Sequence, residues 1–430
     1  MNIIRSADPQ FESKIAPLFN RPAFTADILA SVKEILDGVQ ANGDAALCKY
    51  AKKFDNADLG SEDIRVPQHL IENAEDEIPP KVAKAIRSAH RQIRDFAQQR
   101  LPEPWSYSPR KGVILGERFT PLDRVGAYVP GGTAPLISTV LHTVTLAAAA
   151  GVPEIAVVTP PQPDKSIDPA LLYAAYKAGA TEVYRLGGVY AIGALAYGTE
   201  SVAKVDKIVG PGNAYVTAAK REVYGHVSLD LVAGPSEIMV IADDTADPDF
   251  IAADMLSQIE HGSGNEQAVL VTTEEDLVAA VQASLENHRG QLSRNDCIEK
   301  CMDHGVFIIV VDNLTEATEI ASRYAPEHLE IMARRPGSLA KKVKAAGAIF
   351  LGPWTPEPVG DFVAGPSHVL PTGGAARYFS GLTVEQFFRR MSVVHYQKGA
   401  LEDELDAIET IAKAEGLDAH ALSATVRCRE

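Results

Sequence analysis

Short runs of β-branched residues alternate with helical stretches along most of the chain from about residue 125, and no other feature restricts the fold as strongly. This alternation predicts parallel sheets, because the crossover between two parallel strands is usually a helix, and such helices cover both faces of the sheet. We therefore expect an α/β fold with two doubly wound, Rossmann-like parallel-sheet domains. The strand-like runs are 154–161, 182–188, 206–212 and 236–243, then 267–273, 306–311, 328–333 and 347–352.

The beginning and the end of the chain follow a helical pattern instead. Apolar residues recur at helical spacing within 25–41, where Gly43 is placed to end the helix, and again within 80–98. The segment 101–112 is rich in proline, glycine and serine and is predicted to be a linker. The tail from residue 383 onward is predicted to be a polar helical arm.

The overall charge and the cysteines restrict partners and location. A net charge of -16 over 430 residues disfavours nucleic acid and anionic membranes as partners. No basic stretch followed by an apolar one opens the chain, and no apolar run approaches ~18 residues, so we expect neither a signal peptide nor a membrane span. The four cysteines are sparse, which favours a reducing, cytoplasmic location. Cys297 and Cys301 have the i, i+4 spacing of metal ligands, but no second pair follows, so an ordinary helix face is favoured.

Glycine and proline are concentrated where three of the predicted strands end, at 128–132, 186–188 and 210–213. In an open parallel sheet, ligands bind beyond the carboxyl ends of the strands. Glycines there allow the backbone to approach a phosphate beside a helix N-terminus. None of the three is a complete G-x-G-x-x-G motif, so each turn is as compatible with a purely structural role.

Histidines are combined with carboxylates or an amide at four places in the second half of the chain. The pairs are Gln258 with His261, Glu327 with His328, Asp361 with His368, and Glu415 with His420. The first pair is spaced i, i+3 on one face of a predicted helix end. Gln258, His261, Asp361 and His420 together offer nitrogen and oxygen donors suited to zinc or manganese. Taken singly, each histidine is also compatible with a structural role.

Seven motifs, in order along nearly the whole chain, resemble those of the histidinol dehydrogenase family. They are RVGAYVPGG (124–132), KIVGPGNAYV (207–216), AGPSE (233–237), DMLSQIEH (254–261), APEHL (325–329), GDFVAGPSHVLPT (360–372) and EGLDAH (415–420). The resemblance implies a zinc-dependent cytoplasmic homodimer that oxidises L-histidinol to L-histidine at the end of histidine biosynthesis. It further implies that two NAD molecules take part and that the reaction passes through an aldehyde-level intermediate.

The resemblance also implies a role for individual residues. One zinc ion per site would be bound by Gln258, His261, Asp361 and His420, and these four residues and His328 would also contact the substrate. Glu327 and His328 would form the acid/base pair. The remaining substrate contacts would come from Ser236, His368 and Glu415, and the NAD contacts from Tyr128 and Asn213. The arm with Glu415 and His420 would reach into the site of the partner subunit.

Pattern and resemblance together predict a division into domains. Residues 1–23 form an N-terminal segment. Residues 24–127 and 236–382 form a large α/β domain with the metal and acid/base residues. Residues 128–235 form a Rossmann-like NAD-binding domain, and residues 383–430 form the C-terminal helical arm.

The chain departs from the family pattern at three places, and two other functions are possible for its residues. Tyr190 stands where the family usually has a glutamine near the cofactor, so no cofactor role is carried over to it. Phe362 replaces the tyrosine after the zinc-binding aspartate, and SQIEHG replaces SQAEHD. A paralogue that oxidises another small polar alcohol is one alternative, and Glu415 within EGLDAH argues against it. A metallohydrolase in which Glu327 activates water is the other, and the absence of a hydrolase motif argues against it.

Overall fold

The structure is a computed structural model that describes residues 1–21, 26–131, 136–232 and 234–429. The strands are β1 (Asn2–Arg5), β2 (Trp105–Tyr107), β3 (Val113–Pro121), β4 (Arg124–Tyr128), β5 (Glu154–Thr159), β6 (Glu182–Arg185), β7 (Lys207–Val209), β8 (Ser228–Leu229), β9 (Glu237–Ala242), β10 (Gln267–Thr272), β11 (Val306–Val310), β12 (His328–Met332), β13 (Ala348–Leu351) and β14 (Phe388–Tyr396). The helices are α1 (Phe11–Ile15), α2 (Ala26–Phe54), α3 (Gln68–Glu72), α4 (Pro80–Gln98), α5 (Ile137–Ala149), α6 (Pro169–Ala178), α7 (Gly188–Tyr197), α8 (Ala214–Val223), α9 (Pro248–Ile259), α10 (Glu275–Arg289), α11 (Asn295–Met302), α12 (Leu314–Tyr324), α13 (Pro336–Ala340), α14 (Glu357–Phe362), α15 (Lys398–Glu402), α16 (Leu405–Ala414) and α17 (Asp418–Cys428).

A six-stranded parallel sheet with the order β1-β11-β10-β9-β12-β13 forms one half of the fold. Helices and loops cover both of its faces, so its central strands read as continuous apolar runs. The predicted strands of 236–352 all lie in this sheet. The N-terminal strand β1 also pairs here, with β11, which ties the beginning of the chain to its second half.

A five-stranded parallel sheet with the order β6-β5-β4-β7-β8 forms the other half. Two parallel sheets confirm the predicted fold class. The prediction grouped 24–127 with 236–382, whereas the structure packs α2 on α7 and α8, and α4 on α5 and α6. The physical reason is that an apolar helix stripe specifies burial but not the sheet that provides it.

A small antiparallel sheet, β14-β3-β2, contradicts two of the predictions. The segment 101–112 is not only a linker, because it contains β2. The tail from 383 is not wholly helical, because β14 runs antiparallel to the whole length of β3 before α15 begins. The two strands are far apart in sequence, so no local pattern indicates that they pair. The mostly exposed residues of β14 are also compatible with a solvent-exposed helix.

Gly43 separates two halves of α2 and confirms the predicted end of the first one. Its φ of 52° lies in the left-handed region, and a Cβ at this position would overlap the carboxylate of Glu200. That carboxylate accepts the N–H of Asp44 at 2.7 Å, so the break is tied to the loop before β7. Among the described helices, none combines the length and apolarity that a bilayer crossing requires.

Candidate active site

The candidate site lies at the amino ends of strands in the six-stranded sheet. Glu237 opens β9 and His328 opens β12. Helix α9 follows β9 and runs back across the sheet, which brings its last turn, with Gln258, to the same edge. The expectation that ligands bind beyond carboxyl ends therefore applies only to the glycine-rich turns, all of which belong to the five-stranded sheet. Contacts such as that between His142 of α5 and His368 join the two halves here.

His328 is the centre of the site. Its Nδ1 lies 3.0 Å from the carbonyl oxygen of Glu237, so the ring proton is assigned to Nδ1 and donated to that carbonyl. Its Nε2 has no hydrogen-bond partner in the described part of the chain. Nε2 lies 3.6 Å from Asp361 and 3.8 Å from Glu357. Among the described residues, Nε2 is thus free of other partners and faces two carboxylates.

Buried carboxylates surround this imidazole. Glu327 lies 3.8 Å from Nδ1 of His328 and accepts the N–H of Glu237 at 3.0 Å; burial raises its pKa to about 8. Burial disfavours the charged form of His328, but Glu327 and Asp361 outweigh that effect and raise its pKa to about 10. Burial also raises the pKa of Glu357, to about 9. Burial opposes ionisation of Asp361, yet His328 and His368 hold its pKa well below the usual range.

These residues fit a divalent cation. His328, Glu357 and Asp361 offer ligand atoms that all lie within 4.8 Å of one another. Gln258 is fully buried, and neither polar atom of its side chain has a partner among the described residues. An unpartnered buried amide costs roughly 1–3 kcal/mol, so such a group is expected to meet a ligand. A cation would supply that partner and would offset the excess of carboxylates.

The four predicted metal ligands are not all gathered by one chain. Gln258 and Asp361 lie at the site, and His261 follows at the exposed end of α9, where its Nδ1 donates to the carbonyl oxygen of Gln258 at 2.9 Å. His420 is exposed on α17 and does not join the cluster around His328. Glu415, at the end of α16, is exposed as well. Helices α16 and α17 pack on each other, and α17 also packs on α15.

The predicted substrate and NAD residues lie in both halves of the fold. Ser236 precedes β9 and is half-buried. Nε2 of His368 has no partner among the described residues, and its ring meets that of His142 edge to face at 4.8 Å. The hydroxyl of Tyr128 accepts the N–H of Gly188 at 3.2 Å. The side chain of Asn213 caps α8 by accepting the N–H groups of residues 215 and 216.

The glycine-rich turns of the five-stranded sheet pack closely against one another. A Cβ on Gly131 or Gly187 would lie 2.5 or 2.6 Å from Pro160, and one on Gly210 would lie 2.1 Å from the carbonyl oxygen of Tyr128. Glycine is therefore required where the turns after β4, β6 and β7 meet. Two motif positions, Gly132 of RVGAYVPGG and Ala233 of AGPSE, lie outside the described residues.

Sequence reasoning missed three residues of the site. Glu357 is buried, accepts a hydrogen bond from Ser257 at 3.2 Å, and faces His328. Its signal was present, because it precedes Asp361 by four residues and so shares its helix face. Glu237 forms a buried ion pair with Arg21 at 2.7 Å, and His142 contacts His368. Neither of these contacts has a local sequence signal, because the partners are distant in the chain.

Comparison with known proteins gives a consistent result. The model of the histidinol dehydrogenase family matches residues 20–428. Histidinol dehydrogenase of Heliobacterium mobile is 46% identical over 402 residues, which cover 94% of each chain. That of Aquifex aeolicus is 47% identical over 397 residues, 92% of each chain. The crystal structure of histidinol dehydrogenase from Elizabethkingia anophelis is 36% identical with a TM-score of 0.93, and the match covers 99% of this chain and 98% of that one.

Proposed function

Because the chain belongs to the histidinol dehydrogenase family, we propose that it catalyses the zinc-dependent, NAD-linked oxidation of L-histidinol to L-histidine through an aldehyde-level intermediate. The observation that carries this proposal is that one fold combines a candidate cation site with glycine-rich turns of a parallel sheet. A cluster of His328, Glu357 and the half-buried Asp361 lies in one half of the fold, in which Gln258 also has a buried, unpartnered amide. Glycine-lined turns of a parallel sheet belong to the other half, as a dinucleotide site requires.

The metal would be held by Gln258, His261, Asp361 and, from a second subunit, His420. All four offer nitrogen or oxygen donors and none a thiolate, a set that suits zinc or manganese. When bound, the ion would act as a Lewis acid that orients the substrate. Tyr128 and Asn213 would contact NAD, which accepts the hydride. Substrate specificity would come from Ser236, His368 and Glu415.

His328 and Glu327 would handle protons. A cation bound at the carboxylates would offset the charges that raise the pKa of His328. The imidazole, whose Nδ1 faces the carbonyl of Glu237, would then have a lone pair on Nε2 suited to remove the proton of the substrate hydroxyl as hydride leaves. The second oxidation requires water at the aldehyde carbon. The buried carboxyl of Glu327, whose pKa is raised, is suited to accept a proton from that water near neutral pH.

The enzyme would work as a homodimer with shared sites. Apolar side chains are exposed on β14 and on the arm helices, including Val394 (67%), Ile411 (59%) and Leu422 (52%). An exposed apolar surface of this kind is typical of an interface between subunits. Docking of the arm on a second copy would cover it and would carry Glu415 and His420 to the partner's site.

The decisive experiment follows NADH absorbance after L-histidinol is added to purified protein with NAD. We expect two NADH per L-histidine formed, loss of activity on chelation, and recovery with zinc or manganese. Activity with another small polar alcohol, and none with L-histidinol, would support the paralogue instead. Metal-dependent hydrolysis without NADH would support the metallohydrolase.

A further inference from the structure

The loop that follows α9 and carries His261 is held from outside that helix. Arg294, just before α11, donates from Nε to the carbonyl oxygen of Glu260 at 2.9 Å and from Nη2 to that of His261 at 3.1 Å. The carbonyl oxygen of Gly264 is contacted by His304 at 2.8 Å. Three backbone carbonyls around His261 are thus fixed by side chains from a different part of the chain.

Glu266 holds the same loop from inside. Its carboxylate is 1% exposed and accepts the N–H of Ser263 at 2.7 Å and that of Gly264 at 2.9 Å. The thiol of Cys301, on α11, also donates to it, at 3.2 Å. One buried carboxylate therefore ties the loop to α11. Although burial opposes ionisation, the hydrogen bonds from Ser263 lower the pKa of Glu266.

The backbone next to His261 is tightly constrained. Gly262 has a φ of 92°, and a Cβ there would lie 2.9 Å from Sγ of Cys297 on α11. The imidazole of His261 is itself exposed, and its described polar contact is with the carbonyl oxygen of its own helix end. The direction of that ring therefore depends on the backbone that Arg294 and Glu266 fix.

We propose that Glu266 and Arg294 are positioning residues that aim the His261 imidazole and thereby set the metal affinity of the site. The proposal rests on the proposed function, in which His261 is a ligand. Partners that orient a ligand from behind typically change metal affinity by roughly 10- to 100-fold when they are removed. Neither residue would contact the substrate or the metal.

Metal affinity of the metal-free protein tests this directly. Zinc is titrated in competition with a chromophoric chelator for wild type, Glu266→Gln and Arg294→Met. We expect the dissociation constant to rise about 10- to 100-fold in both variants. Cobalt(II) in place of zinc should show an altered visible spectrum, because a displaced imidazole changes the coordination. Arg294→Lys, which keeps one donor, should recover part of the affinity.

Asp243 provides a matched control. It is buried at the opposite edge of the same sheet, and its carboxylate likewise accepts two backbone N–H groups, those of Thr245 at 3.0 Å and Arg334 at 2.9 Å. Asp243→Asn should lower stability without changing zinc affinity. Hydrogen exchange of the Ser263 and Gly264 amides in the metal-free protein should accelerate in Glu266→Gln and remain as in wild type in Asp243→Asn.

The variant His261→Ala distinguishes failure of the positioning proposal from failure of the proposed function. If His261→Ala loses zinc affinity while Glu266→Gln and Arg294→Met both stay within twofold of wild type, the positioning role is wrong and the proposed function stands. If His261→Ala itself binds zinc as wild type does, the ligand set of the proposed function is wrong, and the positioning role falls with it.

Discussion

Tyr190 is a departure from the family motif, and the structure buries its side chain between α7 and α2. Its side chain is 1% exposed, donates a hydrogen bond to Asp55 at the end of α2, and packs against Tyr50 with ring centroids 6.2 Å apart. The residue therefore joins α7 to α2 in the core. This placement explains how the chain can carry a tyrosine where the family usually has a glutamine.

Replacement of Tyr190 by phenylalanine should affect stability and not the cofactor. Loss of a hydrogen bond to a charged, half-buried carboxyl is expected to lower the free energy of unfolding by about 2 kcal/mol. Urea denaturation measures this, with exposed Tyr176→Phe as the control. The affinity for NAD should remain within twofold of wild type by calorimetry, and a large loss would place Tyr190 in the cofactor site after all.

Asp55 should give stability a measurable pH dependence. Burial raises its pKa, while the hydrogen bond from Tyr190 acts in the opposite direction. Between the unfolded value of about 3.9 and the raised folded value, the native state binds more protons than the unfolded chain. Stability therefore falls as pH rises through that window. Asp55→Asn removes this slope. Urea midpoints from pH 4 upward should show wild type losing stability relative to the variant, and parallel curves would contradict the assignment.

Glu327 and His328 should be separable by the two half-reactions. Glu327→Gln keeps the shape of the side chain but cannot take a proton from water, so oxidation of supplied aldehyde should slow by about 10²- to 10⁴-fold. Oxidation of L-histidinol to the aldehyde level should change much less. His328→Ala should slow both steps. Single-turnover NADH formation from each substrate measures this, and normal aldehyde oxidation by Glu327→Gln would refute its role.

At the scale of elements, the parallel strands were predictable and the antiparallel ones were not. Strands β5, β9 and β11 are buried on both faces over most of their length, so each appears in the sequence as a largely apolar run. In β14 only Phe388 and Met391 are half-buried, and the strand is defined by its pairing with β3, a contact between distant parts of the chain. The apolar and polar residues of β14 show no alternation that would indicate pairing with β3.

The GPGN turn after β7 is held by a buried ion pair that local patterns do not show. Lys220 of α8 pairs with Asp230, and both side chains are almost fully buried. Lys220 also donates to the carbonyl oxygen of Gly210 at 2.8 Å, and Asp230 accepts the N–H of Gly210 at 2.7 Å. The conformation of the turn that ends in Asn213 thus depends on the buried pair of Lys220 and Asp230.

Removal of one partner should therefore be costly. Lys220→Met removes the ion-pair partner of a buried carboxylate and should lower the free energy of unfolding by roughly 3–5 kcal/mol. Adding Asp230→Asn removes the stranded charge and should restore part of the loss. Lys33→Met, which breaks the exposed pair with Asp37, should cost at most about 1 kcal/mol. Equal losses for the buried and exposed pairs would show that burial is not what makes Lys220 important.

At the scale of the whole molecule, the site depends on how distant parts of the chain are brought together. The family resemblance implied that Asp361 and His328 belong to one site, and the structure places them 3.6 Å apart. The sequence could not predict that α2 and α4 pack on the helices of the five-stranded sheet, since this depends on the complementary shapes of packed surfaces. For the same reason it could not supply the contact between His142 and His368 that joins the two halves.

The largest-scale prediction concerns His420, which one chain does not bring to the metal cluster. Helices α16 and α17 expose both His420 and a series of apolar residues, an arrangement expected of an arm that docks on a second subunit. If it does, each site takes Gln258, His261 and Asp361 from one chain and His420 from the other. A chain with His261→Ala and a chain with His420→Ala should then each be inactive alone. In their heterodimer both lesions fall in the same site, so the other site is intact.

The two inactive proteins are mixed under conditions that exchange subunits. Random exchange makes about half of the dimers mixed, and each mixed dimer has one intact site of two. The mixture should therefore regain about a quarter of the wild-type activity per chain. Distinct affinity tags on the two chains allow the heterodimer to be isolated, where activity should reach half. A mixture of two His261→Ala preparations controls for exchange alone. An isolated heterodimer without activity would mean that His420 serves its own subunit, and the arm would then have to fold back across the surface that it leaves exposed here.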